Sequence, residues 1–312
     1  MKYVLKKLGT LVLTLLAVSA LVFFAFSLIP SNPAVTKLGT EATAESIEKL
    51  THEMGLDRPV IERYVEWVGG IFRGDFGTSY SYNQPVTKLL AEKIGITLLL
   101  SVMAILITCI LAFPLGIYTA RKSDSKLDVV LTTINQIVMS VPSFFSGILI
   151  TLVFGVILHV FTPGKFVSYK VSFFGCVGYL LFPALAIALP KISMVVKLLK
   201  DTAIKEADKD YVRTAYSRGN RTKAVFYKHV LKNAMIPVIT FLGMTFADII
   251  AGSIIVEQVF GVPGLGRILL TSISGRDYPV VEAIILLLAT AVVVSNLVVD
   301  LLYKIFDPRI HV

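Results

Sequence analysis

The sequence predicts an all-α membrane protein with six transmembrane helices, on three observations. Hydrophobic residues make up 55% of the 312 residues and charged ones only 16%, with a mean hydropathy of +0.77, far from the composition of a soluble domain. The apolar residues gather into six runs long enough to cross a bilayer. The Lys and Arg residues, 30 against 21 Asp and Glu, concentrate in alternate connections between those runs.

A helical span needs about 20 mostly apolar residues. Leu8 to Ile29 carries no charge over 22 positions and stops at Pro30. Lys2, Lys6 and Lys7 precede it as they would a signal peptide, but the apolar part of a cleaved signal is only about 7 to 15 residues long, so the run reads as a retained span. The others are Ile94 to Ala120, Val129 to Phe161, Val171 to Val196, Ala234 to Val256 and Val280 to Ile305. Pro142 breaks the third, where Ser140, Ser143 and Ser146 can satisfy the backbone groups a proline frees, as a hinge or as a simple bend. Cys109 and Cys176 each lie inside an apolar run, where a lone thiol behaves as a small hydrophobe, so neither a disulfide nor a cysteine metal site is implied.

An even number of spans puts both termini on one side, and the Lys/Arg distribution decides which. The N-terminus has three bases, the loop 121–128 has three (Arg121, Lys122, Lys126) and the segment 197–232 has ten. Residues 30–93 carry seven bases against nine acids, and the other two loops on that side hold two bases each. The basic side is expected to be cytoplasmic, which makes the net charge of +9 a topology signal and not a nucleic-acid footprint. The expected layout is a cytoplasmic N-terminus and first helix (1–29), an extracytoplasmic segment (30–93), a five-helix core (94–305) with a large cytoplasmic loop at about 199–233, and a cytoplasmic C-terminus (306–312) in the cell membrane.

Residues 30–93 are too long for an unstructured connection. Thr43 can cap a helix carrying Ile47, Leu50 and Met54, with Gly55 to stop it. Pro59 suits the start of a second, carrying Ile61, Tyr64, Val65, Val68 and Ile71. These amphipathic helices can cover an outer mouth, present a docking surface, or simply lie on the bilayer interface.

The cytoplasmic stretch DYVRTAYSRGNRTKAVFYKHVLKNAMIP, residues 210–237, holds six Lys or Arg and one acid. Charge alone allows attraction to anionic lipid. The apolar residues Tyr211, Ala215, Val225, Phe226, Val230 and Leu231 are interleaved with the bases, however, and Gly219-Asn220 divides the stretch into helix, tight turn and helix. Such a hairpin presents a compact knob to a protein partner.

At this point the chain resembles the integral-membrane permease of ATP-binding-cassette importers, in the branch that handles dipeptides, oligopeptides and nickel. In that family a loop reading EAA, three residues, then Gly forms a coupling helix that docks into a cleft of the ATPase subunit. Arg213-Thr214-Ala215 and Gly219 occupy that frame, with Arg in place of Glu, and His229-Val230-Leu231-Lys232 stands where the family has I-x-L-P. The blocks GLDRPVIERYVEWVGGIFRGDFGTSY (55–80), VPSFF (141–145), FGVPGLGR (260–267), RDYPVVEA (276–283) and NLVVDLLYKIFDPR (296–309) extend the resemblance along nearly the whole chain. It implies a type I importer permease fold and a coupling loop built on Arg213, Thr214, Ala215, Arg218, Gly219, Arg221 and Lys223. It also implies several partners: a homologous second permease, two ATPase subunits that bind the ATP and Mg, an extracytoplasmic substrate-binding protein, and membrane lipid. The cargo it implies is a di- or oligopeptide, or alternatively nickel or a metal chelate.

Gly261 to Gly266 has the spacing of a phosphate-binding loop, but Arg267-Ile268 follows where Lys and Ser or Thr are required, so a rigid turn ending the fifth span is expected and no ATPase site or cofactor of the chain's own. Ionisable groups at membrane depth cost about 2.5 to 3.5 kcal/mol at a helix centre and mark candidate sites. Lys191, Asp248 and Asp300 qualify, together with Asn296, four residues from Asp300, and with Pro142 and Ser143 at the break. Each is a candidate for the pathway or a helix interface, or else a structural polar contact. Asp248 sits among Gly243, Ala247, Ala251 and Gly252, which permit close helix approach. The histidines His52, His159, His229 and His311 are scattered, and no metal site is expected. An autonomous secondary transporter would carry repeats or paired intramembrane charges, and an intramembrane enzyme a nucleophile with its base. The sequence shows no convincing repeat between its halves, which leaves the secondary transporter as the lesser alternative, and neither cysteine has a histidine within the same segment.

Overall fold

A computed structural model describes residues 2–29, 33–38, 42–123 and 125–306. Those residues are helical apart from turns and one isolated bridge between Thr78 and Pro85. In chain order the helices are α1 (Lys2–Ser27), α2 (Pro33–Leu38), α3 (Ala44–Glu53), α4 (Val60–Phe72), α5 (Val86–Arg121), α6 (Lys126–Ser140) and α7 (Ser143–Ile150). They continue with α8 (Phe173–Ala207), α9 (Asp210–Ser217), α10 (Thr222–Val225), α11 (Leu231–Phe260), α12 (Leu265–Ser274) and α13 (Tyr278–Phe306). Wider π turns follow α7 (Thr151–Ile157) and α10 (Phe226–Val230).

Five stretches are long and apolar enough to cross a membrane: Gly9–Ser27, Val86–Arg121, Phe173–Ala207, Thr222–Phe260 and Tyr278–Val299. The third expected span, Val129 to Phe161, is broken at Pro142 as the sequence indicates, and it counts as a sixth crossing only if its two helices form one span. Helices Lys126–Ser140 and Ser143–Ile157 meet at 100°, because Pro142 has no N–H to continue the ladder and holds the chain extended at the start of α7. The Ser140 hydroxyl bonds the Gln136 carbonyl at 2.9 Å, covering a backbone acceptor in the last turn before the bend. Helix α5 starts at Val86, ahead of the apolar run, and α8 continues past its run to Ala207.

The chain forms two compact units, Met1–Thr97 with Pro263–Val294, and Leu98–Val262 with Ser295–Val312. In the first, Thr43 caps α3 as the sequence predicts, Ser46 completes the cap by accepting the Thr43 amide in return, and Gly55 follows the helix end. The Phe23 ring of α1 packs against Tyr64 and Trp67 of α4 with centroids 5.4 and 5.5 Å apart. Asp277, one residue ahead of α13, accepts hydrogen bonds from the Ser79 hydroxyl and the Tyr80 and Ser81 amides, so that a single carboxylate fastens the 79–81 turn to the start of that helix.

In the second unit α8 is the central helix, packed by α6, α7 and α11. Its buried face, Ala188, Ile192, Val195, Val196 and Leu199, meets Ala112 of α5 and Val238 of α11. Small residues set how closely the helices approach. A Cβ on Gly243 of α11 would lie 2.2 Å from a Val299 methyl of α13, the close approach the sequence suggests, whereas one on Gly252 would meet nothing within 4 Å and Ala251 is exposed.

Candidate functional site

The basic stretch folds as the hairpin the sequence predicts. Helix α9 ends at Ser217, Gly219 turns the chain at φ +78°, and α10 begins at Thr222. A Cβ on Gly219 would meet nothing within 4 Å. Glycine is therefore demanded by the left-handed backbone and not by crowding. Asn220 locks the turn by donating its side-chain N–H to the Ala215 carbonyl at 2.9 Å.

Beneath the turn the hairpin has an apolar core of its own. Val212, Ala215, Val225 and Val230 are buried together with Ala203 of α8 and Ala234 of α11. The sequence identifies Ala215, Val225 and Val230 but not Val212, which lies three residues ahead of Ala215 on the same helix face. Polar contacts then fix the knob to its stems. Tyr211 donates to Glu206 at 2.7 Å and accepts from Asn233 at 2.9 Å, and Arg121 at the end of α5 lies over the Tyr227 ring, 5.6 Å from its centre. Arg213, Thr214, Arg218, Arg221 and Lys223 are all exposed on the outside of this frame. Arg213 has Asp210 at 3.8 Å, an open pair of little energetic weight.

A second cluster forms at the bend. Pro142, Ser143, Lys191 and Asp248, nominated separately from the sequence, line one cavity of about 250 Å³, with Pro190 and Gly252 beside them. Lys191 of α8 reaches Asp248 of α11 at 3.3 Å, the lysine side chain 18% and the aspartate side chain 68% exposed. Asp248 belongs to an exposed row on α11 with Met244, Ala251 and Ile255, residues at helical spacing. Asn296 is exposed on α13, and the Asp300 side chain lies outside the described residues.

The sequence did not nominate a third polar group. Lys200, nine residues further along α8, binds both carboxylate oxygens of Asp128 at 2.7 and 2.8 Å and the Thr132 hydroxyl at 3.0 Å. Both residues fall at the ends of apolar runs, where they count as loop charges. The available signal was Ser125, three residues ahead of Asp128, which caps α6 and turns the aspartate into its first turn.

Residues 112–312 match the family of binding-protein-dependent transport system inner membrane components, and residues 1–101 match the N-terminal part of such membrane components. The chain belongs to this family. Among its relatives, the dipeptide transport system permease protein of Lactococcus lactis subsp. cremoris is 33% identical, over 99% of both chains. The oligopeptide transport system permease protein of Bacillus subtilis is 32% identical over 99% of both. The glutathione transport system permease protein of Salmonella choleraesuis is 34% identical, over 100% of this chain and 99% of its own. A chain in the crystal structure of an amino acid ABC transporter with histidines aligns at a TM-score of 0.49 and 18% identity, covering 72% of this chain and 95% of that one. The protein is thus a multi-pass membrane permease, and the hairpin and the bend are features of a transport subunit.

Proposed function

We propose that this permease is one half of the membrane pathway of an ATP-driven importer of di- and oligopeptides. Both termini and the hairpin face the cytoplasm, and residues 30–93 face outward. The hairpin docks into a separate ATPase subunit, a homologous second permease completes the pathway, two ATPases hold the ATP and Mg, and an extracytoplasmic binding protein delivers cargo.

The observation that carries this reading is the hairpin itself, a small folded knob with its own buried core, a glycine-set turn and a basic exterior, raised on α8 and α11. A lipid anchor needs charge near the membrane but no such fixed shape. The exposed row through Asp248 supports a second permease or the pathway as the neighbour of α11, because an acid against hydrocarbon is costly. The relatives named for dipeptide, oligopeptide and glutathione transport support peptide as the cargo, and none of these three is named for nickel.

Uptake of a labelled dipeptide by cells carrying the complete system provides the test. Uptake should stop when ATP is depleted with the proton gradient maintained, and continue when a protonophore collapses the gradient with ATP maintained. The opposite pattern would identify a secondary transporter. Single cysteines at Ser46 and Asn220 should label from opposite membrane faces, and labelling from one face would overturn the topology.

A further inference from the structure

A cavity of about 700 Å³ opens within the first unit, a size typical of small-molecule sites. Its walls combine aromatic rings, among them Phe23, Trp67, Tyr80 and Tyr278, with an excess of acid: Glu53, Glu66, Asp75 and Glu282 against Arg58 and Arg63. Several of these charges are already engaged. Arg58 lies 2.6 Å from Glu66, Asp75 takes the Gly77 amide at 2.8 Å, and the Arg63 guanidinium is held over the Phe23 ring, 5.8 Å from its centre.

Glu282 is different. It sits on the apolar helix α13, is only 6% exposed, and is reached by no hydrogen bond or ion pair among the described residues. A buried carboxylate in that condition is costly, and here it lines an open space. The Trp67 indole N–H, in the same wall, is also buried with no acceptor among the described residues. Arg63 is the cation whose field reaches Glu282, but its guanidinium is held over the Phe23 ring and makes no ion pair with the carboxylate.

We propose that this cavity binds a primary ammonium group. Glu282 is its counter-ion, the rings provide cation–π walls, and the Trp67 N–H donates to an oxygen next to the ammonium. A hard inorganic cation is a poor match, since it wants several oxygen ligands together, and no three acidic, histidine or cysteine side chains converge to hold one among the described residues. An ammonium beside an oxygen acceptor is the chemistry shared by the amino end of a peptide and the ethanolamine headgroup of a lipid. The site stands independently of the transport reading.

Trp67 is the sole tryptophan in the chain, so its fluorescence reports the cavity directly in the purified full-length protein. In nanodiscs of phosphatidylcholine and phosphatidylglycerol, which lack primary amines, alanyl-alanine amide should change the Trp67 emission saturably, whereas its N-acetyl form should not. Glu282→Gln should weaken the midpoint by about tenfold or more, the loss of one charge-assisted contact. It replaces a buried carboxyl with an amide of nearly the same shape, so the fold should persist, as circular dichroism and gel filtration would verify. Glu282→Asp, which keeps the charge, should bind more tightly than Glu282→Gln. A change on adding phosphatidylethanolamine that then blocks the dipeptide would identify the lipid headgroup as the source of the ammonium and sustain the proposal. No saturable response to either amine, an equal response to the acetylated form, or an unchanged midpoint in Glu282→Gln would overturn it.

Discussion

Two of the four lysines on helix α8, Lys191 and Lys200, lie nine residues apart, and each finds an aspartate on another helix with opposite results. Lys200 and Asp128 are closed off, with side chains 16% and 7% exposed and a contact of 2.7 Å. Lys191 and Asp248 are open, with the aspartate side chain 68% exposed and a longer contact of 3.3 Å. In the closed pair each charge depends on the other, because neither can return to water without unpacking helices. In the open pair the aspartate can still exchange its lysine for water or for another group. The closed pair is therefore a structural clasp between α6 and α8, while the open pair at the bend is free to serve the pathway.

The sharpest way to break this contrast is to remove one partner of the closed pair. Asp128→Asn leaves the Lys200 ammonium buried, a change that typically costs about 3 to 5 kcal/mol. It should lower the thermal unfolding midpoint of the detergent-solubilised protein more than any other substitution considered below. Replacing both residues with apolar ones of similar volume, Asp128→Leu with Lys200→Met, should recover most of the loss. If Asp128→Asn melts together with the wild type, the pair is not a clasp.

Next in size is the hairpin turn, where shape and charge can be separated within a few residues. Gly219→Val asks a β-branched residue to hold φ +78°, a conformation that costs an ordinary L-residue roughly 1 to 2 kcal/mol and a branched one more. The turn should shift, and co-purification of the ATPase subunits with the permease should fall to a small fraction of wild type. The unfolding midpoint should move less than in Asp128→Asn. Normal assembly and normal cargo-stimulated hydrolysis would remove the docking assignment.

These two sites also show what a sequence makes legible. Five of the spans, the α3 cap, the proline break and the hairpin are local: each follows from residues within one turn or one apolar run, and each is found in the fold. The 100° angle at Pro142 is not local, because a proline frees the ladder but its neighbours choose the direction. The clasp was hidden for a related reason. Asp128 and Lys200 are 72 positions apart and each looks like a loop charge until α6 packs on α8. Glu282 was hidden by its place four residues from the start of α13, where an acid ordinarily faces water. Asp248 stood out because it lies mid-run among small residues, yet its pairing with Lys191 became visible only in the folded unit.

For the open pair the expectation reverses in kind. Asp248→Asn should leave the unfolding midpoint within the small shift of an exposed pair, about 0 to 1 kcal/mol, while peptide uptake falls several-fold. Lys191→Met should behave similarly in stability. If Asp248→Asn destabilises as strongly as Asp128→Asn, the two pairs do the same work and the contrast fails. If uptake is untouched, Asp248 has no part in the pathway.

The smallest effect is expected at Arg221, and it decides between shape and charge in the hairpin. Its side chain is exposed next to the turn, where a single base contributes about 0 to 1 kcal/mol to any one contact and solvent ions screen it further. Arg221→Ala should therefore reduce ATPase co-purification by less than about twofold, within that energetic range, and leave the fold unchanged. Lipid attraction would reverse the ranking: each base near an anionic surface is worth about 1 kcal/mol, so Arg221→Ala would weaken attachment measurably while Gly219→Val, which removes no charge, would not. Measuring both variants for ATPase co-purification and for binding of the hairpin region to anionic vesicles separates the readings. An Arg221→Ala defect larger than that of Gly219→Val would show that the basic exterior acts through charge, and that the turn beneath it does not set the docking surface.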